Sequence, residues 1–64
     1  MTAKEIIKRL KADGWRETRS VGSHKQFAHP VKPGIVTVAM HGGDVHPKTL
    51  SSIEQQSGLK LKTR

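Results

Sequence analysis

Apolar residues fall at Ala3, Ile6, Ile7 and Leu10, with Lys4, Lys8, Arg9 and Lys11 largely off that stripe. The spacing follows a 3.6-residue period and predicts an amphipathic helix over residues 3–12. Thr2-Ala3-Lys4-Glu5 reads as a capping box, in which the Thr2 hydroxyl accepts from the Glu5 amide and the Glu5 carboxylate reaches back to the Thr2 amide. Gly14 stands where a left-handed residue would stop the helix.

The pattern then changes period. Trp15 to Ser20 is rich in residues that tolerate strands, Gly22-Ser23 is a turn signal, and His24 to His29 is a second short strand with Phe27 as its only large apolar residue. Pro30 and Pro33-Gly34 bracket a loop that no central strand accepts. Ile35 to Met40 is the clearest strand, β-branched and ended by Gly42-Gly43. Side chains alternate across a sheet, so Val36, Val38 and Met40 should face a core together with Phe27. His24, Gln26 and Ala28 then lie on the opposite, open face with Ile35, Thr37, Ala39 and His41. A hairpin across Pro30–Gly34 places Phe27 opposite Val38 and His24 opposite His41, with the parity better supported than the register itself.

Pro47 suits a first helical position, which makes His46 the cap residue and Val45 with Leu50 a hydrophobic staple. Leu50 and Ile53 mark the buried stripe of this second helix, and Gly58 ends it. Leu59-Lys60-Leu61-Lys62 alternates and is either a docked strand or a frayed end. The expectation is a single α+β domain over residues 1–64, ordered α-β-β-β-α, with two helices on one face of a three-stranded antiparallel sheet.

Composition narrows the class of function. A chain of 64 residues buries only about 60% of its unfolded surface, so the core must be compact. It has no Cys, which excludes a disulfide framework and a Cys-based zinc site and fits a cytoplasmic protein. No apolar run approaches the ~20 residues of a membrane span, and no membrane contact is expected. Trp15 and Phe27 are the only aromatic residues besides histidine, too few for a base-stacking platform. A formal net charge of +7 points to an anionic partner. Residues 1–32 hold eight of the twelve Lys and Arg residues.

The candidate chemistry lies with histidine. Cleaving RNA without a metal needs a base for the 2′-hydroxyl proton and an acid for the leaving 5′-oxygen, and imidazole suits both. His24 and His41, facing each other on the open face, form a candidate pair, with His24 the catalytic residue and His41 a helper. Gly22-Ser23-His24-Lys25 offers amide donors and a cation to a phosphate. Arg16, Arg19, Ser23 and Lys25 are the candidate RNA-binding residues, and the first-helix lysines form a second basic patch. His24/His29 and His41/His46 do not match a familiar metal-ligand spacing, and neither a metal site nor a cofactor is expected. His46 reads as a cap, His29 as a partly buried strand-end residue, and Trp15 as core.

Taken together, Gly14-Trp15, Arg19, Gly22-Ser23-His24, Phe27, His29-Pro30, Val36-Thr37-Val38, His41, Thr49-Leu50, Ile53 and Gly58-Leu59 resemble the HicA toxin family. The Gly-Ser-His step is the most specific part. The resemblance implies a fold like that of double-stranded-RNA-binding domains. It implies metal-independent cleavage of mRNA, with the histidine of the Gly-Ser-His step, His24, as the catalytic residue. It also implies inhibition by a HicB-type antitoxin, with DNA contacted only through that antitoxin. The alternatives are a non-catalytic module that grips duplex RNA and a small basic DNA-binding or ribosome-associated protein. The separation of the two helices by three strands argues against a helix-turn-helix.

Overall fold

The computed structural model describes residues 1–40 and 42–61. Helix α1 (Ala3–Ala12) is followed by strands β1 (Arg16–Val21), β2 (His24–Ala28) and β3 (Ile35–Ala39), and then by helix α2 (Pro47–Ser57). The strands form one antiparallel sheet in the order β1-β2-β3, an α-β-β-β-α arrangement of the α+β class.

Local signals set the ends of both helices. The Thr2 hydroxyl accepts from the Glu5 amide at 3.3 Å while Glu5 Oε1 accepts from the Thr2 amide at 2.8 Å. Those Thr2 bonds hold the Glu5 carboxyl below its ordinary value. At α2, Nδ1 of His46 accepts from the Lys48 amide at 3.1 Å, Pro47 occupies the first helical position, and Gly58 closes the helix in the left-handed conformation at φ +75°.

The core lies between the helices and one face of the sheet. Ala3, Ile6 and Leu10 of α1, Phe27 of β2, Val36 and Val38 of β3, and Leu50 and Ile53 of α2 form one buried cluster, joined by Trp15 and Leu61. Both helices therefore cover the same sheet face, as the apolar parity requires. Residues 59–61 dock without forming a strand, while Lys62 lies outside the described residues. Leu61 is buried, its amide donates to Glu54 Oε2 at 2.7 Å, and Arg9 donates to the Lys60 carbonyl at 2.9 Å.

Register departs from the sequence expectation. Phe27 lies opposite Val36, not Val38, and His24 lies opposite Ala39. The parity holds, so the apolar set still faces the core, but the pairing is displaced by two residues. The cause sits at the end of β2. His29 leaves the strand, and its Nδ1 accepts from the amides of Val31 and Lys32 at 3.0 Å each. With Nδ1 accepting, Nε2 carries the proton and donates to the Asp13 carbonyl at 2.7 Å. The ring also stands edge-on to Trp15, with centroids 5.2 Å apart. His29 thus belongs to the turn, and the first paired rung of the hairpin is Ala28 with Ile35.

One ammonium ties this corner to both helices. Lys32 Nζ donates to Asp13 Oδ2 at 2.5 Å, just past α1, and to the Ser57 carbonyl at 3.1 Å in the last turn of α2. A cation at two helix C-termini meets the negative end of both dipoles. The Lys32 contact holds the Asp13 carboxyl below the ordinary carboxylate value.

Candidate functional site

The uncovered face of the sheet is built from residues that alternate away from the core. His24 opens β2 immediately after a two-residue turn, Gly22-Ser23, whose ends are the paired Val21 and His24. Gly22 has φ +58° and Ser23, like every other described non-glycine residue, does not have positive φ, the pattern of a type II′ turn, which demands glycine at its first central position. The Gly-Ser-His step is thus a folding signal that also brings His24 to the tip of the hairpin. Its side chain is exposed.

A β-bulge decides which basic residues join it. Arg16 pairs with Ala28 and Glu17 with Phe27, but Arg19 pairs with Gln26, so Thr18 is the extra residue. Its hydroxyl donates to the Gln26 carbonyl at 3.3 Å. Residues three apart fall on opposite faces of a regular strand. The bulge resets the alternation, and Arg16 and Arg19 both emerge on the face that carries His24. Across this face run three rungs: Val21, His24 and Ala39; Arg19, Gln26 and Thr37; Arg16, Ala28 and Ile35. Arg19 is the diagonal neighbour of His24 on the adjacent strand, within reach of a long side chain.

The two faces differ in how their charges are used. Lys25 alternates to the helix side of the sheet and pairs with Glu17 at 3.6 Å. It is therefore separated from His24 by the sheet and already neutralised. Among the described residues, none offers a hydrogen bond or ion pair to the side chains of Arg16, Arg19, His24, Gln26 or Thr37. Ser23 is exposed in the turn, and its carbonyl accepts from the Met40 amide at 2.6 Å. Lys4, Lys8 and Lys11 are exposed on α1, which covers the other face.

Of the four histidines, His29 and His46 are consumed by structure, as turn anchor and helix cap. His41 lies outside the described residues. The register nonetheless removes the argument that placed it opposite His24, because Ala39 holds that position. The neighbours flanking His24 across the sheet, Val21 and Ala39, are both apolar. Among the described residues, no three His, Asp or Glu side chains gather closely enough to hold a metal ion, and no helix is long and apolar enough to cross a membrane.

Sequence reasoning had no sign of the bulge at Thr18, nor of the rung of Arg19, Gln26 and Thr37 that it creates. Such a rung can place a cation beside two neutral hydrogen-bonding groups on a flat surface. An exposed imidazole next to it supplies a proton acceptor or donor, and the arrangement suits a phosphodiester strand laid across the sheet. No curated protein matches the chain. A family model described as HicA toxin of bacterial toxin-antitoxin systems matches residues 3–59.

Proposed function

The chain belongs to the HicA toxin family, and from that premise we propose that it is a metal-independent endoribonuclease that cleaves mRNA with His24 as its catalytic residue. The observation that carries this reading is the open sheet face. His24 is exposed there beside Arg16 and Arg19, and among the described residues none offers it a polar partner and no acidic side chain pairs with either arginine.

The chemistry follows from one imidazole and nearby cations. Neutral His24 takes the proton of a ribose 2′-hydroxyl as that oxygen forms a bond to the adjacent phosphorus. The bond from phosphorus to the 5′-oxygen breaks, and the departing oxygen takes a proton from the imidazolium or from water. The products are a 2′,3′-cyclic phosphate and a 5′-hydroxyl. Arg19, and Arg16 farther along the strand, meet the negative charge that builds on the phosphoryl oxygens. Since Val21 and Ala39 flank His24, the described residues supply no second imidazole opposite it.

The family implies an antitoxin partner. In this reading that partner is of the HicB type and inhibits by covering His24, through an interface on the order of 1,200–2,000 Å² in total.

The test is incubation of purified protein with mRNA in the presence of a chelator. Wild type cleaves and His24→Ala does not, while the exposed position keeps the stability change within about ±0.5 kcal/mol. Cleavage by the folded variant at the wild-type rate would refute the assignment. Binding of duplex RNA without cleavage by wild type would favour the passive binding module instead.

A further inference from the structure

The sheet has two edges, and they are treated differently. The outer edge of β1 carries Arg16, Glu17 and Arg19 and is interrupted by the bulge at Thr18. Charges and bulges are the devices that keep an edge strand from pairing with another chain. The outer edge of β3, Ile35-Val36-Thr37-Val38-Ala39, has no charge, no proline and no bulge.

The direction of the backbone groups on β3 follows from one bond. The Met40 amide donates to the Ser23 carbonyl, so Met40, Val38 and Val36 turn their polar groups toward β2. In an antiparallel pair the intervening residues point the other way. Ile35, Thr37 and Ala39 therefore present N–H and C=O groups outward, and none of these has a partner among the described residues. On the helix side of the same edge opens a cavity of about 350 Å³, lined by Val38, Ala39, Val45 and Ile53, with Gly43, Asp44, His46 and Thr49 at its polar side. Main-chain groups in a row beside an apolar pocket are what strand addition uses, with the ladder giving affinity and the pocket selecting a side chain.

We propose that β3 is the docking edge for the antitoxin, which adds an extended segment as a fourth strand and places one apolar side chain in this cavity. The occupant is argued from charge. A second copy would bring two chains of formal charge +7 together, whereas an acidic partner is attracted. The added strand lies two strand spacings, about 10 Å, from β2, so the partner's body extends naturally over His24. The proposal rests on family membership and on the antitoxin partner it implies, not on the nuclease reading, and its test is run on His24→Ala protein.

Amide hydrogen exchange by NMR is measured on that protein alone and saturated with a HicB-type antitoxin. The amides of Thr37 and Ala39 exchange freely in the toxin alone and slow at least about tenfold in the complex. The Ser20 amide, on the outer side of β1, keeps exchanging. Ile35→Pro, which removes one outward donor at the first residue of the strand where proline is tolerated, weakens antitoxin binding without altering the ladder to β2. Unchanged exchange at Thr37 and Ala39 in a saturated complex, or protection at Ser20 instead, would overturn the assignment. So would protection already present in the toxin alone together with a dimeric mass, which would give the edge to a second copy. The exchange result stands whether or not Ile35→Pro folds.

Discussion

Gly14→Ala offers a direct measure of how tightly the corner beneath the sheet is locked, with Gly22→Ala as its control. Both glycines have positive φ, +103° and +58°, and an L-residue held there costs about 1–2 kcal/mol. At Gly22 a methyl group would meet nothing within 4 Å, whereas at Gly14 it would stand 2.9 Å from His29 Nε2. The imidazole cannot step aside freely. It donates to the Asp13 carbonyl, accepts from the Val31 and Lys32 amides, and packs edge-on against Trp15. Loosening two of those bonds at about 0.5–1.5 kcal/mol each adds about 1–3 kcal/mol to the backbone cost. The total, about 2–5 kcal/mol, is a large part of the roughly 3–10 kcal/mol available to a chain of this size. A domain this small loses about 4–8 °C of Tm per kcal/mol. Thermal melts followed by circular dichroism, in a His24→Ala background to permit expression, should place Gly14→Ala at least about 5–10 °C below Gly22→Ala. Melting of the two variants within about 2 °C of each other would refute the steric interlock.

Arg16→Ala and Arg19→Ala should each weaken RNA binding and reduce the slope of log K against log salt by about 0.7 on single strands, while Lys25→Ala, whose charge is spent on Glu17, leaves the slope nearly unchanged; salt titrations of binding by each variant check this. Asp13→Asn should lower Tm at neutral pH. Because the folded Asp13 carboxyl is held below its ordinary value by Lys32, its contribution is fully present above the unfolded pKa and fades as pH falls through the folded one. The gap between wild type and variant in pH-dependent melts should therefore close only in acid, and a constant gap would contradict the pairing. His46→Ala removes the acceptor for the Lys48 amide and should cost about 1 kcal/mol with mRNA cleavage unchanged; a loss of cleavage in the folded variant would give His46 a role beyond capping.

What the sequence revealed, and what it hid, divides along the range of the forces involved. The Thr2–Glu5 box, the His46 cap before Pro47 and the Gly58 stop depend on neighbours within a few residues, and the helix limits were legible for that reason. The burial of Phe27, Val36 and Val38 follows from alternation alone. The register of β2 on β3 does not, since it depends on how much chain the turn consumes. That is decided by His29 reaching Asp13, sixteen residues away, and by Lys32 joining both helix ends. The bulge was hidden for a similar reason: Thr18 bonds a carbonyl on the neighbouring strand, and nothing local to Arg16–Val21 announces it. So the exposed position of His24 could be read from the sequence. The joint placement of Arg16 and Arg19 on the face of His24 could not.

The extra residue at Thr18 also makes the pairing of β1 with β2 an electrostatic variable. Flattening the bulge, so that Thr18 itself paired with Phe27, would move Glu17 opposite Ala28 on the face of His24 and carry Arg16 to the helix side. A one-residue slip in pairing would here exchange a cation for an anion on the surface that carries His24.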